Sequence, residues 1–207
     1  MLFIKTIEPN TLSILKRLQS LPKLENFDLV GGTALALKYG HRLSIDLDLF
    51  GKIFEKDEII TSLNEEFGQD FSFEKTPDEW AIFCFIDNIK VDIIKYPHPL
   101  VAPIETLEGI RISSTEDIAA MKTNAILGSA SKKDFWDIYE LLHHYSLAEI
   151  IGFHIKKYPN QMLLISIPQA LCYFEEAEES ESPISLKNQT WNMVKDLIKA
   201  RVNDYLK

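Results

Sequence analysis

Gly31-Gly32-Thr33-Ala34-Leu35-Ala36-Leu37-Lys38-Tyr39-Gly40-His41-Arg42-Leu43-Ser44-Ile45-Asp46-Leu47-Asp48-Leu49-Phe50 decides how this chain reads. From Ser44 to Phe50 polar and apolar residues alternate strictly, the period of a half-buried strand. Successive strand side chains point to opposite faces, which puts Asp46 and Asp48 on one face and Ile45, Leu47 and Leu49 on the other. Two neighbouring carboxylates repel and raise each other's pKa. A hard divalent cation neutralises them, and Mg²⁺ is commonly held by one or two carboxylates plus substrate phosphates. A solvated edge strand would show the same alternation, so the glycines matter. Phe27-Asp28-Leu29-Val30 reads as a strand. Gly31-Gly32 then lets the backbone turn and lie close to a ligand, and Thr33 is placed to cap a helix over 34–39. A helix N-terminus with free N–H groups and a hydroxyl suits an anion. A phosphate-binding turn therefore precedes a metal-binding strand by one short helix.

Working outward, the 207 residues suffice for one domain or two small ones, and 46% hydrophobic with 26% charged residues is an ordinary globular composition. A net charge of −9 argues against a surface that binds nucleic acid by overall charge, leaving room only for a local basic track such as Lys122, Lys132 and Lys133. Cys84 and Cys172 lie far apart in apolar surroundings and read as buried thiols. The N-terminus is too short for a signal peptide and no apolar run is long enough for a membrane span, so the expected location is cytoplasmic, with no membrane partner.

Helical spacing of Leu12, Leu15 and Leu18 predicts a helix over 11–21, ended by Pro22, and Ile59, Ile60, Leu63 and Phe67 predict another over 55–67. Strand-like runs follow at 71–75, 80–86, 90–96 and 109–113, with Asp87-Asn88 as a hairpin turn. Asp92 stands inside the apolar run Val91, Ile93, Ile94. A buried unpaired carboxylate is costly, so it faces a cation, a donor or water. Beside Asp46 and Asp48 it would complete a set able to hold two metals about 3.5–4 Å apart; the plainer reading is an edge position facing solvent.

From Ser114 the chain turns helical, over 114–127 and 132–144, then 148–158, 162–177 and 189–206, with an acidic loop over 175–183. Lys122 lies near the apolar stripe and either snorkels to water or meets an anion. Asp134 and Asp137 share one face of their helix. Helix-dipole complementarity would account for Asp134; Asp137, between Trp136 and Ile138, asks for more. Arg42 and Ser44 flank the acids: Arg42 either fixes a phosphate tail or pairs with Asp48 or another acid.

Taken in order, Gly31-Gly32-Thr33, His41 to Phe50, the lone strand Asp92, Met121-Lys122 and Lys133 to Tyr139 resemble the AbiEii/AbiGii-type toxin family, over roughly residues 25 to 142. The resemblance implies an α/β (α+β) nucleotidyltransferase-like mixed sheet flanked by helices, with a C-terminal helical bundle. The sheet domain would span 1–113, and a helical domain, 114–207, would complete the cleft. It further implies an Mg²⁺ (or Mn²⁺) site at Asp46, Asp48 and Asp92, and nucleotide-binding roles for Gly31, Gly32, Thr33, Arg42, Ser44 and Asp134. Lys122 would contact the triphosphate, and either Asp137 or Asp134 would be the late acid. This chain carries Lys132-Lys133 where relatives often place an arginine, and has no arginine after Lys122. The implied activity is transfer of a nucleoside monophosphate from an NTP to RNA, including a tRNA 3′ end, or to a protein hydroxyl, as the toxin partner of an antitoxin or abortive-infection system. The alternative is a non-catalytic nucleotide-binding or protein-interaction module; an intact set of acids favours the enzyme.

Overall fold

The alternating runs become a seven-stranded mixed sheet in the computed structural model, which describes residues 1–75 and 77–207. The strands are β1 (Phe27–Leu29), β2 (Leu47–Gly51), β3 (Phe71–Phe73), β4 (Ala81–Ile86), β5 (Ile89–Lys95), β6 (Glu105–Leu107) and β7 (Ile110–Ile112), in the order β3-β4-β5-β2-β1-β7-β6. Two parallel pairings, β2 with β5 and β1 with β7, join three antiparallel hairpins and the antiparallel β1–β2 pair into one sheet. Asp87 and Asn88 both take positive φ, 48° and 63°, so the β4–β5 turn is the type I′ turn that matches strand twist. Glu108 and Gly109 do the same between β6 and β7, a hairpin the apolar pattern did not announce.

The chain divides into two units. The first holds Met1–Lys38, Ser44–Pro97 and Ile104–Ser113; the second holds Tyr39–Leu43, His98–Pro103 and Ser114–Lys207. In the first, α1 (Pro9–Ser20) packs on β7, and α3 (Lys56–Phe67) packs on β3 and β4 through a stripe of buried Ile59, Leu63 and Phe67. Leu47, Leu49, Val91, Ile93, Ile82 and Cys84 are buried, whereas Asp48, Phe50, Asp92 and Ile94 at the alternate positions are only partly covered. Alternation thus buries one face of the central strands and leaves the acids on the other.

The second unit is helical: α4 (Thr115–Gly128), α5 (Lys132–Leu141), α6 (Leu147–Lys157), α7 (Ile167–Leu171), α8 (Glu175–Glu178) and α9 (Trp191–Tyr205). Helix α4 packs against α5, α6 and α7, and α9 against α5, α6 and α7. The helix expected over 162–177 is broken into irregular backbone followed by α7 and α8. Pro168 is the cause: it sits in the first turn of α7, where a missing N–H costs nothing, and would disrupt a longer helix running through it. Part of the acidic run forms α8, whose Glu178 accepts hydrogen bonds from Trp191 Nε1 and Lys195 Nζ at 2.8 and 2.7 Å. The start of α4 hides an ion pair: Asp117, fully buried, accepts from the Val101 and Ala102 backbone N–H groups and from Lys157 Nζ at 2.6 Å. Both cysteines are free thiols, Cys84 buried and Cys172 half-buried. Among the described residues no helix is long and apolar enough to cross a membrane.

Candidate active site

The glycine turn and the acidic strand meet in the first unit. β1 ends at Leu29, Val30 donates its backbone N–H to the Asp48 carbonyl at 2.9 Å, and α2 (Gly31–Tyr39) begins at once. Gly31 has φ 70°, a backbone that L side chains rarely adopt. A Cβ built on it would overlap Asp48 Oδ2 and lie 3.2 Å from Asp48 Cγ. Glycine is therefore required twice, for its conformation and for the close approach of that carboxylate. Gly31→Ala is expected to cost about 1–3 kcal/mol of stability. It is also expected to displace Asp48, and a chemical-denaturation midpoint equal to wild type would contradict this.

The helix begins three residues earlier than expected, so Thr33 lies in its first turn and is not its cap. The Thr33 hydroxyl is turned onto the segment before β2, bonding Ser44 Oγ at 2.8 Å and donating to the Asp46 carbonyl. Ser44 also gives its backbone N–H to the Thr6 carbonyl. These bonds draw 44–46 out of the ladder, which starts only at Leu47. Ile45 consequently stands 66% exposed, where strict alternation placed it in the core.

Asp48 and Asp92 are register partners across the parallel β2–β5 pair. Asp46 directly precedes β2. Asp92 is mostly covered; its Oδ2 takes a 2.6 Å hydrogen bond from Lys90 Nζ, and its Oδ1 is buried with no hydrogen-bond partner. Lys90, which no motif singled out, lies two residues before Asp92 on the same strand face. Partial burial alone would lower its pKa, but the hydrogen bond to Asp92 and the charges of Asp92, Asp48 and Asp46 raise it. Its alternation with Asp92 is legible as Lys-x-Asp, though that pattern also fits an ordinary surface pair.

The donor chemistry suits a hard divalent cation: carboxylates on adjacent strands, one of them with a buried oxygen lacking a partner. Among the described residues, however, no group of three or more His, Cys, Asp or Glu side chains is drawn together on one point. Lys90 is the cation that touches Asp92 here. In β1, Asp28 is a further buried carboxylate, pushed up to about 6 by burial, with Arg111 Nε 4.0 Å away acting in the opposite sense.

In the second unit Arg42, His41, Lys122, Asp134 and Asp137 are not separate contributors but one buried network. Asp137 is fully buried, and both of its oxygens are doubly engaged. Oδ1 accepts from Arg42 Nε at 2.7 Å and pairs with His41 Nε2 at 2.8 Å; Oδ2 accepts from Arg42 Nη2 at 2.9 Å and pairs with Lys122 Nζ at 2.8 Å. An ionised carboxylate has no proton to give, so His41 donates from Nε2, and its buried Nδ1 has no hydrogen-bond partner. Burial by itself would raise the Asp137 pKa, but Arg42 and Lys122 hold it well below the usual carboxylate range. Asp134 closes a capping box on α5, accepting from Ser131 N and Oγ at 3.0 and 2.7 Å, and takes Lys122 Nζ on its other oxygen at 2.9 Å. Burial opposes the charge of Lys122 as well, yet its two carboxylates raise its pKa. Arg42 thus pairs with an acid, Asp137.

Solved structures described as nucleotidyltransferases share this fold. MenT4, a nucleotidyltransferase toxin from Mycobacterium tuberculosis H37Rv, matches with a TM-score of 0.62 at 15% identity, covering 94% of this chain and 82% of that one. A proposed nucleotidyltransferase from H. pylori matches with a TM-score of 0.51 at 16% identity, covering 97% of this chain and 99% of that one. In sequence, an uncharacterized protein of Aquifex aeolicus (strain VF5) is 34% identical over 200 residues, which is 93% of this chain and 94% of that protein. Residues 13–161 match the family described as nucleotidyl transferase AbiEii toxin, type IV TA system, and the chain belongs to that family. It is a nucleotidyltransferase of the toxin–antitoxin class.

Proposed function

We propose that the protein moves a nucleoside monophosphate from an NTP to an acceptor hydroxyl, on RNA (a tRNA 3′ end included) or on a protein. The acceptor oxygen bonds to the α-phosphorus, the bond to pyrophosphate breaks, and the hydroxyl proton is released. The observation that carries the reading is the Asp48–Asp92 register pair, with Asp48 tucked under Gly31 and Asp92 Oδ1 left without a partner. Asp46, Asp48 and Asp92 would hold Mg²⁺ or Mn²⁺. When bound, such an ion would neutralise phosphate charge and lower the pKa of the attacking hydroxyl.

The chain's own groups position the reactants. Gly31 and Gly32 open the first turn of α2, where backbone N–H groups suit phosphate oxygens. Thr33 and Ser44, bonded to each other, fix the segment that carries Asp46. Lys122 and Arg42 are held as cations by Asp134 and Asp137, and those two acids serve as their organisers. Positioning and charge supply most of the rate in phosphoryl chemistry, so a site made mainly of oriented charges suffices. The antitoxin of the same system is the expected partner, and the cytoplasm the expected place of action.

The test is incubation with each α-labelled NTP, Mg²⁺ or Mn²⁺, and total RNA or cell lysate. Metal-dependent transfer of label to RNA or protein is expected, and it should be abolished by EDTA. Thermal stabilisation by NTP and metal with no label transferred to any acceptor would instead identify a non-catalytic nucleotide-binding module.

A further inference from the structure

On the open face of the central strands a fourth charge accompanies the three acids. In the β2–β5 register Leu47 is opposite Val91 and Asp48 opposite Asp92. Lys90 precedes Val91 in β5, and Asp46, outside the ladder, precedes Leu47. Asp92, Asp48 and Asp46 all act electrostatically on Lys90, Asp92 through a direct hydrogen bond as well. Lys90 Nζ reaches Asp92 Oδ2 at 2.6 Å while its own side chain stays 47% exposed. An ammonium on a flexible four-carbon stem can leave such a contact without disturbing the fold. The bridge is also incomplete as a structural pair, since Asp92 Oδ1 remains buried and without a partner.

Resting on the metal-ion reading above, we infer that Lys90 is a tethered counter-ion: it holds Asp92 in place beside Asp48 while the site lacks a metal, and it yields Asp92 to the incoming divalent cation. Lys90 thereby competes with the metal for one ligand and sets how tightly the metal binds. Removing the tether frees that ligand. Replacing it with arginine does the reverse, because a guanidinium fork engages both carboxylate oxygens, including the one that lysine leaves open.

Mn²⁺ binding to the full chain without nucleotide, followed by electron paramagnetic resonance, tests this. Lys90→Met is expected to bind Mn²⁺ about three- to tenfold more tightly than wild type, the size expected on removing one neighbouring partly exposed cation. Lys90→Arg is expected to bind more weakly. Lys95→Met, the same charge change on the same strand but at an odd offset from the acids, serves as the control and should match wild type. In EDTA the Lys90→Met protein should melt below the Lys95→Met protein, because Asp92 then loses the Lys90 contact at 2.6 Å, and saturating Mn²⁺ should close the gap. Equal affinities for Lys90→Met and Lys95→Met would overturn the inference. If Lys90→Met does not fold, Mn²⁺ binding by Lys90→Arg as tight as wild type overturns it equally. Should wild type bind no Mn²⁺, or Asp48→Asn bind it undiminished, the metal reading itself falls and takes the inference with it. Binding lost in Asp48→Asn but unchanged in Lys90→Met removes only the role of Lys90.

Discussion

Replacing Asp137 with alanine is expected to cost about 3–5 kcal/mol of stability, the penalty for breaking a buried ion pair from one side. Asp137 is the hub of its unit: one carboxylate takes both arms of the Arg42 guanidinium, the His41 ring and the Lys122 ammonium. Its removal leaves Arg42, which is buried, without its bidentate partner, and leaves Lys122 with Asp134 alone. Asp137→Asn should do little better, since its amide group presents N–H donors to cations. Asp134→Ala removes a capping box and one of two partners of Lys122, and should cost less, about 1–2 kcal/mol. Urea denaturation of the three variants orders them, and a loss under about 1 kcal/mol for Asp137→Ala would refute the network's role. The sign with pH follows from the depressed pKa of Asp137. A carboxyl whose folded pKa lies below its unfolded value of about 3.9 contributes stability above that value, and the contribution disappears as pH falls through the folded pKa. Wild type should therefore lose stability on acidification below about pH 4 more steeply than Asp137→Asn does.

This network shows why the site was only partly legible in the sequence. Local periodicity carries strand and helix identity, so β4, β5, α1, α3 and α9 lie close to where alternation and helical spacing put them. The glycine turn and the acids were readable for a related reason, because their spacing is local and their chemistry uncommon. What spacing cannot convey is which distant charge meets which. His41 and Arg42 reach Asp137 across more than ninety residues of sequence, and Lys157 reaches Asp117 across forty. From the sequence Asp134 looked like a dipole partner; it is a first-turn acid, as is Asp117, and each also anchors a buried lysine. Lys90 was hidden by its ordinariness, since Lys-x-Asp in a strand is usually a solvated pair worth little. Only the parallel register that sets Asp92 beside Asp48 gives Lys90 a purpose. The early end of the ladder at Leu47 was invisible as well, because the Thr33 hydroxyl that diverts residues 44–46 acts from another element.

Asp48→Asn should abolish nucleotidyl transfer, lowering it by at least about a thousandfold, while leaving stability within about 0.5 kcal/mol of wild type. Asparagine keeps the shape and fits under Gly31 as aspartate does, so the substitution isolates charge from volume. The backbone bond from Val30 N–H to the residue 48 carbonyl is unaffected, and the strand register with β5 has no need of a carboxylate. The contrast with Asp137 is the discriminating feature. One acid is half-covered on a strand face beside a second carboxylate, where its charge serves a ligand. The other is fully buried among cations, and its charge has value toward the fold. Activity measured as label transfer, paired with urea denaturation of the same preparations, separates the two. Asp92→Asn should resemble Asp48→Asn in activity. It should also release Lys90, which loses the charge that now holds it at 2.6 Å. Transfer by Asp48→Asn within tenfold of wild type would mean that the acids under the glycine turn are not where the chemistry happens. The orphaned Asp92 Oδ1 would then need an explanation other than a metal ion.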